Sequence, residues 1–142
     1  MSYKRTIHLD ASVEQVFQLF RNPGNWQQFA GTGVVYKNVL LTPEGVGTTY
    51  EWVAKVAGVP ISGFNVFTEF VSNQRITDRS SRAFEGTWIY TFEADGSGTK
   101  LICQNQPASF WRIPPLSKLL DWATAKTHEP VMAQLQNMMA RR

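Results

Sequence analysis

The sequence has one cysteine, Cys103, only two histidines, and no apolar run long enough to span a membrane. A lone cysteine excludes an internal disulfide framework. His8 and His128 have no cysteine or carboxylate at the spacing of a zinc-binding set, so no metal and no other cofactor is expected. Without a stretch of about 20 apolar residues there is no candidate transmembrane helix. Met1-Ser2-Tyr3-Lys4-Arg5 carries no apolar leader segment. The expectation is a soluble, cytoplasmic protein with no integral membrane segment. Charge of one sign is scarce too: the net charge is +3, from 14 Lys and Arg against 11 Asp and Glu. The basic residues are scattered, apart from Arg75, Arg79 and Arg82 and the pair Arg141-Arg142. That is a thin electrostatic footprint for nucleic acid, which is not expected as a partner. No Gly-x-Ser-x-Gly nucleophile elbow occurs.

Aromatic rings are what the chain has in quantity: five Trp, four Tyr and nine Phe in 142 residues. Rings of this number either fill a core or line a pocket for an apolar guest. The length suits one domain, residues 1–142, and buries enough surface to need no staple.

Glycine is absent from the last stretch, Pro114–Arg142. There Leu116, Leu119, Leu120, Ala123, Val131, Leu135, Met138 and Met139 recur at helical spacing, which predicts one long amphipathic helix. Pro130 lies inside it, so a kink near Thr127–Pro130, or two helices nearly in line, is expected. Such a bend follows a curved sheet or opens the mouth of a cavity.

Upstream, Tyr3–Leu9 alternates as a strand. Ser12 and Gln15 have capping-box spacing ahead of the stripe Val13, Val16, Phe17 and Phe20. Asn22-Pro23-Gly24 breaks that helix, and a second short one spans about Gly24–Phe29, with Trp26 and Phe29 inward. Six strands follow, at Val34–Leu41, Thr48–Val56, Ile61–Val71, Arg75–Arg82, Thr87–Ala94 and Thr99–Gln106. The turn signals between them include Thr42-Pro43-Glu44-Gly45, Gly58-Val59-Pro60 and Asp95-Gly96-Ser97-Gly98. One sheet must cover one face and one helix must bury one stripe, so the sheet is predicted to wrap the helix. Strand one is expected at an inner position.

The pieces that carry a family likeness are Leu9-Asp10-Ala11 leading into Val13-Glu14-x-Val16-Phe17, Asn22-Pro23 with Trp26, and Gly45-Val46-Gly47. Thr68-Glu69-Phe70, Gly86-Thr87-Trp88 and Gly98-Thr99-Lys100-Leu101 complete them. In this order the chain resembles the START-like (SRPBCC) superfamily, with its Bet v 1-like proteins and its bacterial polyketide cyclase/dehydrase-like branch. Ser12 departs from it, since many members carry proline there. The resemblance implies an α+β helix-grip fold. A seven-stranded antiparallel sheet would wrap a long C-terminal helix, with two short helices between strands 1 and 2 and an apolar cavity inside. It implies no single reaction, because members bind lipids, act as cyclases or serve as protein partners.

The candidate cavity residues follow from strand parity. Tyr50 and Trp52 share one face, as do Trp88, Tyr90 and Phe92, and Phe64 joins them if its strand faces the same way. If Ile76 faces inward, so do Asp78, Ser80 and Arg82, which would need partners and could orient a ligand carbonyl or hydroxyl. Otherwise that strand end protrudes into water. Asn105 faces inward with Leu101 and Cys103, and Leu120 and Leu135 supply the helix wall. Cys103 with His128 could form a nucleophile–base pair, or be a core thiol and a surface imidazole; no catalytic residue is assigned.

Three functions fit these residues. The first is carriage or sensing of a small hydrophobic molecule such as a lipid, polyketide or quinone. The second is a cyclase, dehydratase or aromatase that uses Asp78, Tyr90 or Asn105 on a folded polyketide. The third is a protein-interaction module built on Phe110, Trp111 and the helix surface. Oligomeric state is not legible.

Overall fold

The computed structural model describes residues 3–30, 34–56, 58–82, 85–108 and 116–140. In chain order they form β1 (Tyr3–Leu9), α1 (Val13–Phe20), a 3-10 turn at Pro23–Asn25, α2 (Gln27–Ala30), β2 (Val34–Leu40) and β3 (Thr49–Val56). β4 (Val59–Val71), β5 (Arg75–Arg82), β6 (Gly86–Asp95), β7 (Gly98–Pro107) and α3 (Leu116–Ala140) follow. All seven strands join one antiparallel sheet in the order β1-β7-β6-β5-β4-β3-β2. The expected helix-grip arrangement is present, with α3 packed on the inner face of the sheet.

The position of β1 corrects the sequence expectation, because it is an edge strand paired only with β7. β1 and β2 end up on opposite edges, and α3 packs along β1. There Gln136 Nε2 donates to the His8 carbonyl at 3.3 Å, and Arg5 Nε reaches Glu129 Oε2 at 3.0 Å.

Local chemistry explains the joints. Ser12 caps α1: its Oγ accepts from Gln15 N–H while the Gln15 side chain accepts from Ser12 N–H. Thr99 Oγ1 donates to the Ala11 carbonyl at 2.8 Å, pinning the strand-to-helix turn to β7. The turn between β3 and β4 is tighter than expected, since Val56 already pairs with Val59. Gly45 has a φ of +86°, and a Cβ there would collide with the Phe70 ring. β4 carries Phe64 and Val66 on its outer face and Phe67 on its inner one, and its pairing with β5 shifts register between Phe67 and Glu69. The bulge returns Phe70 to the inner face, 5.1 Å from Phe17.

α3 runs as one helix through Pro130. Its buried side is Thr124, Val131, Met132, Leu135 and Met139, with His128 and Met138 half-buried. Leu119, expected on that side, is 52% exposed. The side chains of Leu116, Leu120 and Ala123, and the loop with Phe110 and Trp111, lie outside the described residues. Leu135→Ala should lower the unfolding free energy by about 2–5 kcal/mol, whereas Leu119→Ala should change it by less than about 0.5 kcal/mol. Urea titrations of the two variants check which face α3 buries.

Candidate functional site

The inner face is divided between two kinds of packing. On the α1 side the rings close on one another: Phe17 and Phe20 lie 5.2 and 5.4 Å from Phe92, above Ile76, Leu101 and Leu135. Toward β2 and β3 they leave a cavity of about 130 Å³. The sheet contributes Tyr36 from β2, Tyr50, Trp52 and Ala54 from β3, Asn65 from β4, and Trp88 and Tyr90 from β6. Opposite them stand Trp26 and Phe29, with His128, Val131 and Met132 from α3.

Of the residues singled out from the sequence, the structure places Tyr50, Trp52, Trp88 and Tyr90 on this wall. Asp78 sits behind it, fully buried. The others correct the expectation geometrically. Phe64 pairs with Glu51 and Ser81 on the outer face, where Arg82 lies over its ring at 5.6 Å. Odd-numbered residues of β4 face inward, so Gly63, Asn65 and Phe67 occupy the side Phe64 was expected to share. Phe92 and Leu135 belong to the closed core, and Asn105 is buried beside Trp88 in the ladder without lining the cavity. The side chain of Leu120 is outside the described residues.

β5 does face inward, with Ile76, Asp78 and Ser80 all buried, so the exposed-strand alternative does not hold for them. Arg82 breaks the parity. Its φ of +73° turns it outward, where Nη1 stands 3.6 Å from Glu51 Oε1. The buried carboxyl finds neutral partners. Tyr50 O–H donates to Asp78 Oδ2, and Asn65 Nδ2 donates to Asp78 Oδ1 at 3.1 Å and to Ser80 Oγ at 2.8 Å. Asn65 Oδ1 accepts from Trp52 Nε1 at 2.8 Å, so five residues on three strands share one network. The Trp52 indole reaches Asn65 by crossing Gly63, where any Cβ would collide with it.

Cys103 and His128 do not form a pair. Cys103 Sγ lies 3.9 Å from Met132 Sδ, and burial pushes its thiol well up. His128 stacks on Trp88 at 4.7 Å, with Nδ1 3.2 Å from the Tyr3 hydroxyl. Burial lowers its pKa to about 4, so it is neutral near pH 7. Among the described residues no cluster of three His, Cys, Asp or Glu could hold a metal.

Several wall residues carry a signal that sequence periodicity contains. Tyr36 follows from alternation with Val34, and His128 lies three and four residues before Val131 and Met132. Asn65 has no such signal, because a polar residue inside an apolar strand reads as outward-facing.

Loss of solvation pushes the Asp78 carboxyl up to about 7, against the opposing hydrogen bonds from Tyr50 and Asn65. The folded state therefore holds this proton more tightly than the unfolded chain, whose ordinary value is 3.8. The stability it contributes is fully present below about pH 4 and is lost as pH rises through about 7, a span worth on the order of 4 kcal/mol. Neutral His128 works the other way, favouring the fold as pH rises from about 4 to 6.5. The diagnostic is thus the difference between wild type and Asp78→Asn. The wild-type advantage in unfolding free energy should shrink as pH rises from 4 to 8, and a pH-independent difference would contradict a protonated, buried Asp78.

The geometry can be set beside known proteins. In a search of curated proteins, none matches the chain significantly. Among solved structures it resembles a Thermus thermophilus protein at 17% identity and a TM-score of 0.78, covering 99% of this chain and 98% of that one. A Mycobacterium smegmatis protein matches at 16% identity and a TM-score of 0.76, covering 99% and 91%. One from Chromobacterium violaceum matches at 20% identity and a TM-score of 0.70, covering 98% and 97%. At these identities the likeness concerns the fold alone. The family model described as polyketide cyclase / dehydrase and lipid transport matches residues 1–141, and the chain belongs to that family.

Proposed function

We propose that the chain is a single ligand-binding domain that carries or senses a small hydrophobic molecule in its internal cavity. The observation that carries this reading is the cavity itself, about 130 Å³ between sheet and helices and walled largely by aromatic rings. A core meant only for stability would close this space, because an unfilled void forfeits dispersion contacts along its whole lining. Membership of a family whose description includes lipid transport supports the same reading. No helix among the described residues is long and apolar enough to cross a membrane, and the reading needs none.

The cyclase or dehydratase alternative draws on one observation, the Asp78–Tyr50 pair. Asp78 accepts hydrogen bonds on both oxygens and sits behind the wall. Its carboxyl titrates near neutrality, but it does not line the cavity, which keeps it out of a ligand's reach for proton transfer. Carriage is therefore placed first.

Native mass spectrometry of the protein as purified should reveal a retained apolar molecule. An environment-sensitive apolar dye should bind and be displaced by hydrophobic competitors. Trp88→Ala should change dye affinity at least fivefold while leaving unfolding cooperative. Failure of any dye or competitor to bind, with Trp88→Ala merely destabilising, would sink the reading and favour a filled core.

A further inference from the structure

The polar groups around the cavity fall into two sets. Those on the Asp78 side are committed to one another: the Tyr50 hydroxyl donates to Asp78, the Asn65 amide bonds Asp78 and Ser80, and the Trp52 indole N–H bonds Asn65. Tyr36 on β2 and Tyr90 on β6 are different. Neither hydroxyl has a hydrogen-bond partner among the described residues. Every fully buried polar side-chain atom described does have one. Both tyrosines line the cavity, so their hydroxyls open onto it. Burial holds both phenols well above the ordinary tyrosine range, so both keep a proton to donate.

Size limits what these hydroxyls can meet. An apolar cavity of about 150 Å³ takes one benzene-sized ring, and this one measures about 130 Å³. On the α1 side the packed rings of Phe20 and Phe92 close it off. Its walls are flat: Trp26, Trp52 and Trp88 present indoles, which suit a planar guest through offset or edge-on contact.

Resting on the hydrophobic-ligand reading above, we propose that the cavity selects a monocyclic aromatic compound bearing one hydroxyl or carbonyl group, its ring against the indoles and its oxygen on Tyr36 or Tyr90. A hydroxyl on such a ring both donates and accepts, and a carbonyl accepts. Each would pair with these hydroxyls through the cavity. A ligand without oxygen would leave both hydroxyls desolvated and unpaired, which is the basis of discrimination.

The test is isothermal titration calorimetry with p-cresol, 4-methylbenzaldehyde, toluene and lauric acid. Wild type is compared with the double variant Tyr36→Phe/Tyr90→Phe, which removes two oxygens and no ring. Wild type should bind p-cresol or the aldehyde at least tenfold more tightly than toluene or lauric acid. The double variant should lose about tenfold for the oxygenated ligands and change less than twofold for toluene. Lauric acid binding as tightly as p-cresol, or equal losses for p-cresol and toluene, would overturn the proposal and leave the broader hydrophobic-ligand reading standing. Binding of none of the four, with no apolar dye bound either, would overturn both. The wild-type ranking decides the size question without any variant. The single Tyr→Phe variants decide the oxygen question if the double variant does not fold.

Discussion

A carboxyl group sealed from solvent has to find its hydrogen bonds inside the protein, and much of this structure is arranged around where Asp78 finds them. Its donors come from β3 and β4, and the second hydrogen of Asn65 bonds Ser80 on the same strand as Asp78. A slip of one residue between any two of these strands would point Tyr50 or Asn65 outward and strand the carboxyl in an apolar core. Apolar pairs tolerate repacking, whereas this network tolerates one register. The network also holds the wall: Tyr50, Trp52 and Asn65 are cavity residues because their polar ends are tied down behind it.

The aromatic content is therefore put to two uses. Phe17, Phe67 and Phe92, which have no polar atom, fill the closed part of the interior, and Phe20 and Phe29 stand at its border with the cavity. Tyr and Trp, which do, cluster where the interior is hollow. Their heteroatoms either hold the wall, as in Trp52 and Tyr50, or face the space, as in Tyr36 and Tyr90. Hollow and solid regions are set side by side on one sheet by the side chain chosen at each inward position.

The fold was largely legible because its rules are local. Alternation places Tyr50, Trp52, Trp88, Tyr90 and Phe92 inward, the capping box at Ser12 is readable, and the Asp95–Gly98 pair closes the hairpin its sequence announces. The misreadings share a cause: parity carried past a break in the backbone or past a guess at its phase. Arg82 leaves the inner row at a positive φ, which nothing in Asp78-Arg79-Ser80-Ser81-Arg82 announces. The phase of Phe64 stays open in the sequence because β4 is apolar on both sides, and only the register turns Asn65 inward and Phe64 outward. The edge position of β1 depends on which strand claims β7, a tertiary choice outside any local pattern. The Asp78–Asn65 contact joins residues paired through neighbouring strands, and their partnership appears only once the register is known.

Gly63 is the bare patch over which the Trp52 indole lies. Most rings in this interior are wedged between others, and shifting one disturbs several contacts at once. Trp52 has backbone beneath it and one hydrogen bond to Asn65 at its tip, an attachment worth about 1 kcal/mol. The glycine lets the indole lie flat on the strand and still reach Asn65, so the absence of one side chain sets how far this wall stands from α3. A methyl group added at position 63 would lift the indole off the strand, part it from Asn65 and set the chamber to a new size.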